Sequence, residues 1–236
     1  MNDTEVSKQT TNIRNEINHL IHKNDSMKNE LLPTTFPGIN DNVYADLWTR
    51  IAARIIDFVV MLPVAGLILY INGLSKDAYF YAILPNLAIY IWYEVYLVKR
   101  FGGTPGKLIM GIKIIQKDGD DVDWHASFMR YLVAFCLSLS GIFIMMWTMG
   151  LIDDATYVSM GFMKRTQLLS EINPFMSKIQ TFTTLAWTLA SIIAILSNKR
   201  KRAVHDYIAG TVVVKSIYLT KIREITNEPV IEDSEK

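Results

Sequence analysis

Long apolar runs alternate with polar connections along this chain, and the lengths of the runs are those of membrane-crossing helices. From Phe58 to Ser75 no residue is charged, and about 18 such residues approach the length a helix needs to cross a bilayer. The helix that carries this run begins near Arg50, which predicts a first span over about residues 50–71. A polar turn, Asn72 to Asp77, separates it from a second run over about 78–98, where Pro85 predicts a kink of the kind membrane helices tolerate. The third run, about 131–152, holds no charge; the fourth covers about 179–198 and contains Thr181, Thr183, Thr184 and Thr188. Small hydroxylated residues in spans usually mark close helix packing, which is the reading taken for Thr188 and Ser191. Tyr79, Tyr81, Tyr90, Trp92, Tyr93 and Tyr96 suit packing and the two membrane interfaces.

Two short stretches carry a strand pattern instead. Ile112 to Gln116 is followed by a turn with Asp-Gly at its centre, Lys117 to Asp120, and Thr211 to Val214 is a β-branched run after Gly210. Pairing of the two predicts an all-α polytopic membrane protein: a four-helix transmembrane bundle with a small cytoplasmic β-sheet, built from the second-to-third helix loop and the segment after the last helix. The membrane domain takes residues 45–218. Residues 1–44 form a polar tail in which Ile13, Ile17, Leu20, Asn24, Met27 and Leu31 keep heptad spacing, a short amphipathic helix or a marginal coiled-coil seam. Residues 219–236 form a second polar tail. The loop over 153–178 contains Phe162, Met163, Leu168, Leu169 and Phe175, and is expected to lie on the outer membrane surface as a short amphipathic segment.

Composition agrees with a membrane protein: half of the 236 residues are hydrophobic, and the net charge is only +1. Placement of charge says more than its sum. Lys99, Arg100, Lys107, Lys113, Lys117 and the run Lys199 to Arg202 fall beside span ends on one side, against Lys76, Lys164, Arg165 and Lys178 on the other. The positive-inside rule then places both termini in the cytoplasm of a multi-pass cell-membrane protein. The first residues lack the basic start and apolar core of a signal peptide, so the first span is expected to serve as its own insertion signal. One cysteine, Cys136, gives neither a disulfide framework nor a thiolate metal site.

Candidate chemistry concentrates where charge enters the apolar runs. Arg50, Arg54 and Asp57 follow at spacings of four and three, one stripe on a helix. The arginines can snorkel to headgroups, but a carboxylate one turn inside a span costs about 2.5–3.5 kcal/mol and must face protein, water or a cation. With Glu94, Arg130 and Asp206 these residues share the cytoplasmic half and form a candidate ion-binding site or charge cluster. His205 beside Asp206 is read as a headgroup anchor or turn residue in preference to a proton relay. The segment Gly102 to Lys107, Gly-Gly-Thr-Pro-Gly-Lys, lacks Walker spacing, and Leu108 follows its lysine where that motif needs Ser or Thr. Asp118, Asp120, Asp121 and Asp123 lack the closing glutamate of a calcium loop and read as a solvated hairpin turn.

An Arg-to-Asp first span, the stretch Gly102 to Lys113 and His205-Asp206-X-X-Ala-Gly-Thr-Val-Val together resemble the RDD family of membrane proteins, over about Tyr44 to Ser216 without the outer loop. By position the arginine and two aspartates that name the family correspond to Arg50, Asp57 and Asp206. Arg54 adds a second base to the first span, and the outer loop is longer than the resemblance leads one to expect. The resemblance implies transport, with sodium/proton exchange proposed for some members. From the residues themselves two functions stay open. One is a small-solute or ion transporter using Asp57, expected as a homo-oligomer because four spans are few. The other is a non-catalytic subunit that binds or regulates a partner membrane protein. Neither a nucleophile with its base, nor metal-ligand spacing, nor a nucleic-acid patch is present in the sequence, so an enzyme, a cofactor, a metal and a nucleic-acid partner are not expected.

Overall fold

The computed structural model describes residues 32–36 and 38–227. The heptad positions Ile13 to Leu31 lie outside the described residues. Four helices are long and apolar enough to cross a membrane. α1 (Leu47–Leu74) starts where Asp46 accepts a hydrogen bond from Thr49 N, 3.0 Å, and runs through Pro63. Ser75, in extended backbone, ends α1 and caps α2 (Lys76–Ile91) by accepting from Ala78 N. One π-helical turn, Trp92–Tyr96, joins α2 to α3 (Leu97–Phe101), and Gly102 closes this second span in the left-handed region, φ 79°. Pro85 is accommodated inside α2. α4 (Pro105–Ile109) and β1 (Ile112–Gln116) follow, then α5 (Trp124–Met149), capped by Asp123. α6 (Asp154–Ser159) and α7 (Phe162–Ile172) precede the fourth span, α8 (Pro174–Ser197), and α9 (Val204–Ile208), β2 (Thr211–Lys215) and α10 (Leu219–Asn227) end the described chain.

The expected sheet forms. β1 and β2 pair antiparallel, with Ile114 opposite Val213 and Ile115 opposite Val212. Both faces are covered, so the period of two sends side chains to two separate cores. Ile115, Val212 and Val214 pack with Leu32, Phe36, Tyr44 and Ile222 on the side away from the bundle. Ile112, Ile114 and Val213 pack with Ala45, Ala53, Val98, Val122 and Ala126 at the ends of the spans. The segment before α1 adds to the outer edge of β2, where Ala45 N donates to Val213 O and Lys215 N to Val43 O. The sheet is thus a plug wedged against one end of the bundle.

The opposite end is closed by α6 and α7, which dock on the turn between α1 and α2. Arg165 is buried and stacks over the Tyr157 ring at 4.0 Å. Its guanidinium donates to the carbonyls of Tyr157 at 3.0 Å, Met160 at 2.9 Å and Asn72 at 3.2 Å. Buried backbone acceptors at a helix end need such donors. Leu169 joins Met149 and Tyr157 in a small core, while Phe162 and Met163 stay exposed, which is the amphipathic division expected of this loop. α8 is the span least covered by the rest of the chain, only 6% of its apolar window being buried. Thr181, Thr183, Thr184 and Thr188 each donate to the carbonyl four residues back and are exposed. They satisfy themselves within the helix, and Thr188, for which close packing is expected, is exposed.

Candidate functional site

The stripe on α1 meets a different partner at each of its three positions. Arg50, nearest the sheet, donates to Asp206 at 2.9 Å, to Lys201 O at 2.6 Å and to Ala45 O at 3.2 Å. Asp206 is fully buried and also accepts from Arg130 and from Ala203 N, so its carboxylate closes α9 and joins α1 to α5. Arg130 in turn reaches Thr211 at the start of β2. Burial alone would raise the Asp206 carboxyl, but the Arg130 and Arg50 guanidiniums outweigh it and hold it well below the usual carboxylate range. This triad is a lock between helices and sheet.

Arg54, one turn deeper, pairs with Glu94 at 2.5 Å, and Asp57, deeper still, meets no arginine. Asp57 is 3% exposed and accepts three hydrogen bonds, from Tyr93 OH and Gly106 N at 2.7 Å each and from Thr104 Oγ1 at 2.6 Å. Thr104 occupies the N-cap position of α4 without capping it; the carboxylate of α1 reaches across and takes that role. Gly106 is required by this approach, because a Cβ there would stand 2.1 Å from Ala53 O and 2.8 Å from the Asp57 carboxyl. The π turn explains how adjacent residues Tyr93 and Glu94 both reach α1: its wider winding turns successive side chains through a smaller angle than an α-helix does.

Between these groups and α8 lies a chamber of about 390 Å³. Arg50, Arg54, Asp57, Glu94 and Arg130 border it, with Asp206 behind Arg50 and Arg130, so the structure brings the six sequence candidates into one region. Other wall residues, Lys107, Ser191 and Trp187 among them, are not sequence candidates. Lys107 stands at the chamber with its ammonium donating to Thr104 Oγ1 at 3.2 Å. Ser191 contributes a buried hydroxyl without a hydrogen-bond partner, and Trp187 adds an aromatic wall. Thr188 also borders the chamber, so the close-packing reading of Thr188 and Ser191 gives way to one in which they face a cavity. His205 is a wall residue as well, its Nε2 3.7 Å from Asp206, and burial with the Arg130 and Arg50 charges pushes its pKa down to about 4 against the pull of Asp206. It is neutral at pH 7.

The decisive comparison is with families. The model of the RDD family matches residues 44–210. The chain belongs to the RDD family. The chain is also similar to the uncharacterized protein YckC of Bacillus subtilis (strain 168), 27% identical over 183 residues that cover 73% of this chain and 86% of that protein. No solved structure matches. The three residues that correspond to the RDD letters thus fall into two sites, Arg50 with Asp206 in the lock and Asp57 in the clamp on α4.

Proposed function

We propose that this RDD-family membrane protein is a carrier without enzymatic chemistry, which binds a small polar solute or ion in the chamber and passes it across the cell membrane. The supporting observation is the chamber itself, about 390 Å³ of space bordered by charged side chains of α1 and its neighbours and by apolar side chains of α5 and α8. That volume falls in the range of small-ligand sites, and charges are kept at such depth only where they are paired or used. The basic flanks orient the sheet end, with both termini, toward the cytoplasm. Cation or proton exchange at Asp57, suggested by its depth, finds little room in this geometry. A carboxylate offers about four lone-pair sites, and three are taken by Tyr93, Thr104 and Gly106. One chain supplies every wall described here, so the carrier reading does not require a second copy.

Flux of sodium, protons, phosphate, lactate and glycine into proteoliposomes tests the proposal, comparing native protein with Thr188→Trp and Asp57→Asn. Flux of at least one solute is expected with native protein. It is lost when Thr188→Trp fills the chamber, while Asp57→Asn lowers folded yield and leaves the flux per folded molecule. Loss of flux in a fully folded Asp57→Asn protein would restore the exchange reading. Absence of flux through native protein would favour the second reading, a subunit that binds a partner membrane protein. The observation behind that reading is the folded platform outside the bundle, made of the segment before α1, the sheet and α10.

A further inference from the structure

We infer that the solute taken by the chamber is a small organic or inorganic oxyanion, a carboxylate or phosphate, and that Lys107 is the residue that meets it; this rests on the carrier reading. The argument starts from which charges are already spent. Asp206 accepts from two guanidiniums and a backbone N–H. Asp57 accepts from three neutral donors, and Glu94 is engaged by Arg54. Among the bases, Arg50 holds Asp206 and two carbonyls, and Arg130 holds Asp206 and Thr211. Lys107 differs: among the described residues no carboxylate lies within ion-pair distance of its ammonium, which has three donors and uses one on Thr104, although it shares the field of Glu94 with Arg54.

The formal charges around the cavity point the same way. Four bases, Arg50, Arg54, Lys107 and Arg130, stand against three acids, Asp57, Glu94 and Asp206, while His205 is neutral at pH 7. One positive charge is in excess, and Lys107 is the base among the four without a direct carboxylate contact. The hydroxyl of Ser191, buried at the same cavity without a partner, supplies a further donor from the opposite wall. A cation would find the carboxylate oxygens mostly taken and an ammonium in its way. An oxyanion finds donors on two sides, and hydrogen bonds from a charged donor to an oxyanion are the strong ones. Trp187, Tyr131 and Ile195 leave apolar wall for a short organic body.

A lipid headgroup phosphate offers the same chemistry as a dissolved solute, so the test separates them. Full-length protein is placed in phosphatidylcholine nanodiscs, and its tryptophan fluorescence, to which Trp187 at the wall contributes, is followed with thermal stability during titration. The probes are sodium lactate, sodium succinate, sodium phosphate and glycerol 3-phosphate, against sodium chloride and choline chloride at equal ionic strength. A saturable response to at least one of the four oxyanions and to neither chloride salt is expected. Lys107→Gln should weaken it about tenfold or more, in line with loss of one charge-assisted hydrogen bond, and Lys107→Arg should retain it. If Lys107→Gln fails to fold, Thr188→Glu serves instead: it adds a carboxylate at the wall away from the clamp and should abolish the response, whereas Thr188→Gln should not. Equal responses in native, Lys107→Gln and Thr188→Glu proteins, saturation only with chloride salts, or no response to any oxyanion overturns the inference. A response that appears only when phosphatidylglycerol is added overturns the dissolved solute and assigns a headgroup. Oxyanion binding without flux keeps this inference and removes the carrier reading, while sodium or proton flux without oxyanion binding does the reverse.

Discussion

Replacing Asp206 with alanine removes the one carboxylate on which Arg50 and Arg130 converge. Both guanidiniums are then left with little water, their side chains being 11% and 8% exposed. Arg50 keeps the carbonyls of Lys201 and Ala45, but Arg130 keeps only Thr211 Oγ1, so most of the loss falls on Arg130. Breaking a buried pair by removing one partner costs about 3–5 kcal/mol, chiefly from the uncompensated charge left behind. Against a total of about 5–15 kcal/mol that is a large fraction, and at about 2–4 °C per kcal/mol the melting temperature should fall on the order of 10 °C. Tryptophan fluorescence or size-exclusion chromatography of heated detergent samples measures it. The double variant Asp206→Ala/Arg130→Met, which removes the orphaned charge, should melt above the Asp206→Ala single. A single variant that melts with the native protein, or a double whose loss is the sum of the two singles, refutes the lock.

Gly106→Ala should lower folded yield more than an ordinary helix substitution, because its Cβ meets Ala53 O at 2.1 Å and overpacking of this kind costs about 1–3 kcal/mol or more; yield and melting comparable with native protein would show that α4 can move off α1. Acid should destabilise the fold in two stages. An unfolded chain protonates His205 near pH 6.5 and the folded one only near 4, so between those values the unfolded state binds the extra proton and stability falls as pH falls. The slope is at most about 1.4 kcal/mol per pH unit, less because the ring is 32% exposed. Below the ordinary Asp value of 3.8 the depressed Asp206 carboxyl adds its own loss, since the unfolded chain then takes up a proton that the native carboxylate does not. Melting at pH 7, 5.5 and 4.5 should therefore drop more steeply in native protein than in His205→Gln, and parallel lines would remove His205 from the account.

The parts legible in the sequence were those written in side chains with strong preferences. Four apolar runs announced four spans, and β-branched residues before the third span and after the fourth announced the two paired strands. The first three spans start earlier than their apolar runs, because Asp46, Ser75 and Asp123 cap the helices ahead of them, while the third and fourth end slightly sooner than expected. The convergence of Arg50, Arg130 and Asp206 followed from topology alone. The clamp on Asp57 did not, since its donors are a tyrosine indistinguishable from belt aromatics, a threonine in a turn and a backbone N–H that no side chain announces. In the sequence Lys107 counts simply as one of the basic residues beside span ends that set the orientation. The π turn that brings Tyr93 and Glu94 to α1 has no sequence signature of its own.

The plug at the end of the bundle also sets an order of events during synthesis. β1 is made between the second and third spans, yet the strand that completes it lies beyond the fourth, at residues 211–215. Arg50 and Arg130 likewise precede Asp206, by 156 and 76 residues. Until the last helix has entered the bilayer the nascent chain holds two guanidiniums without their carboxylate and a strand without its neighbour. Arrival of residues 203–215 satisfies all of them together, so a chain that stops after Ser197 leaves the bundle unsealed, with two guanidiniums and one strand unpaired.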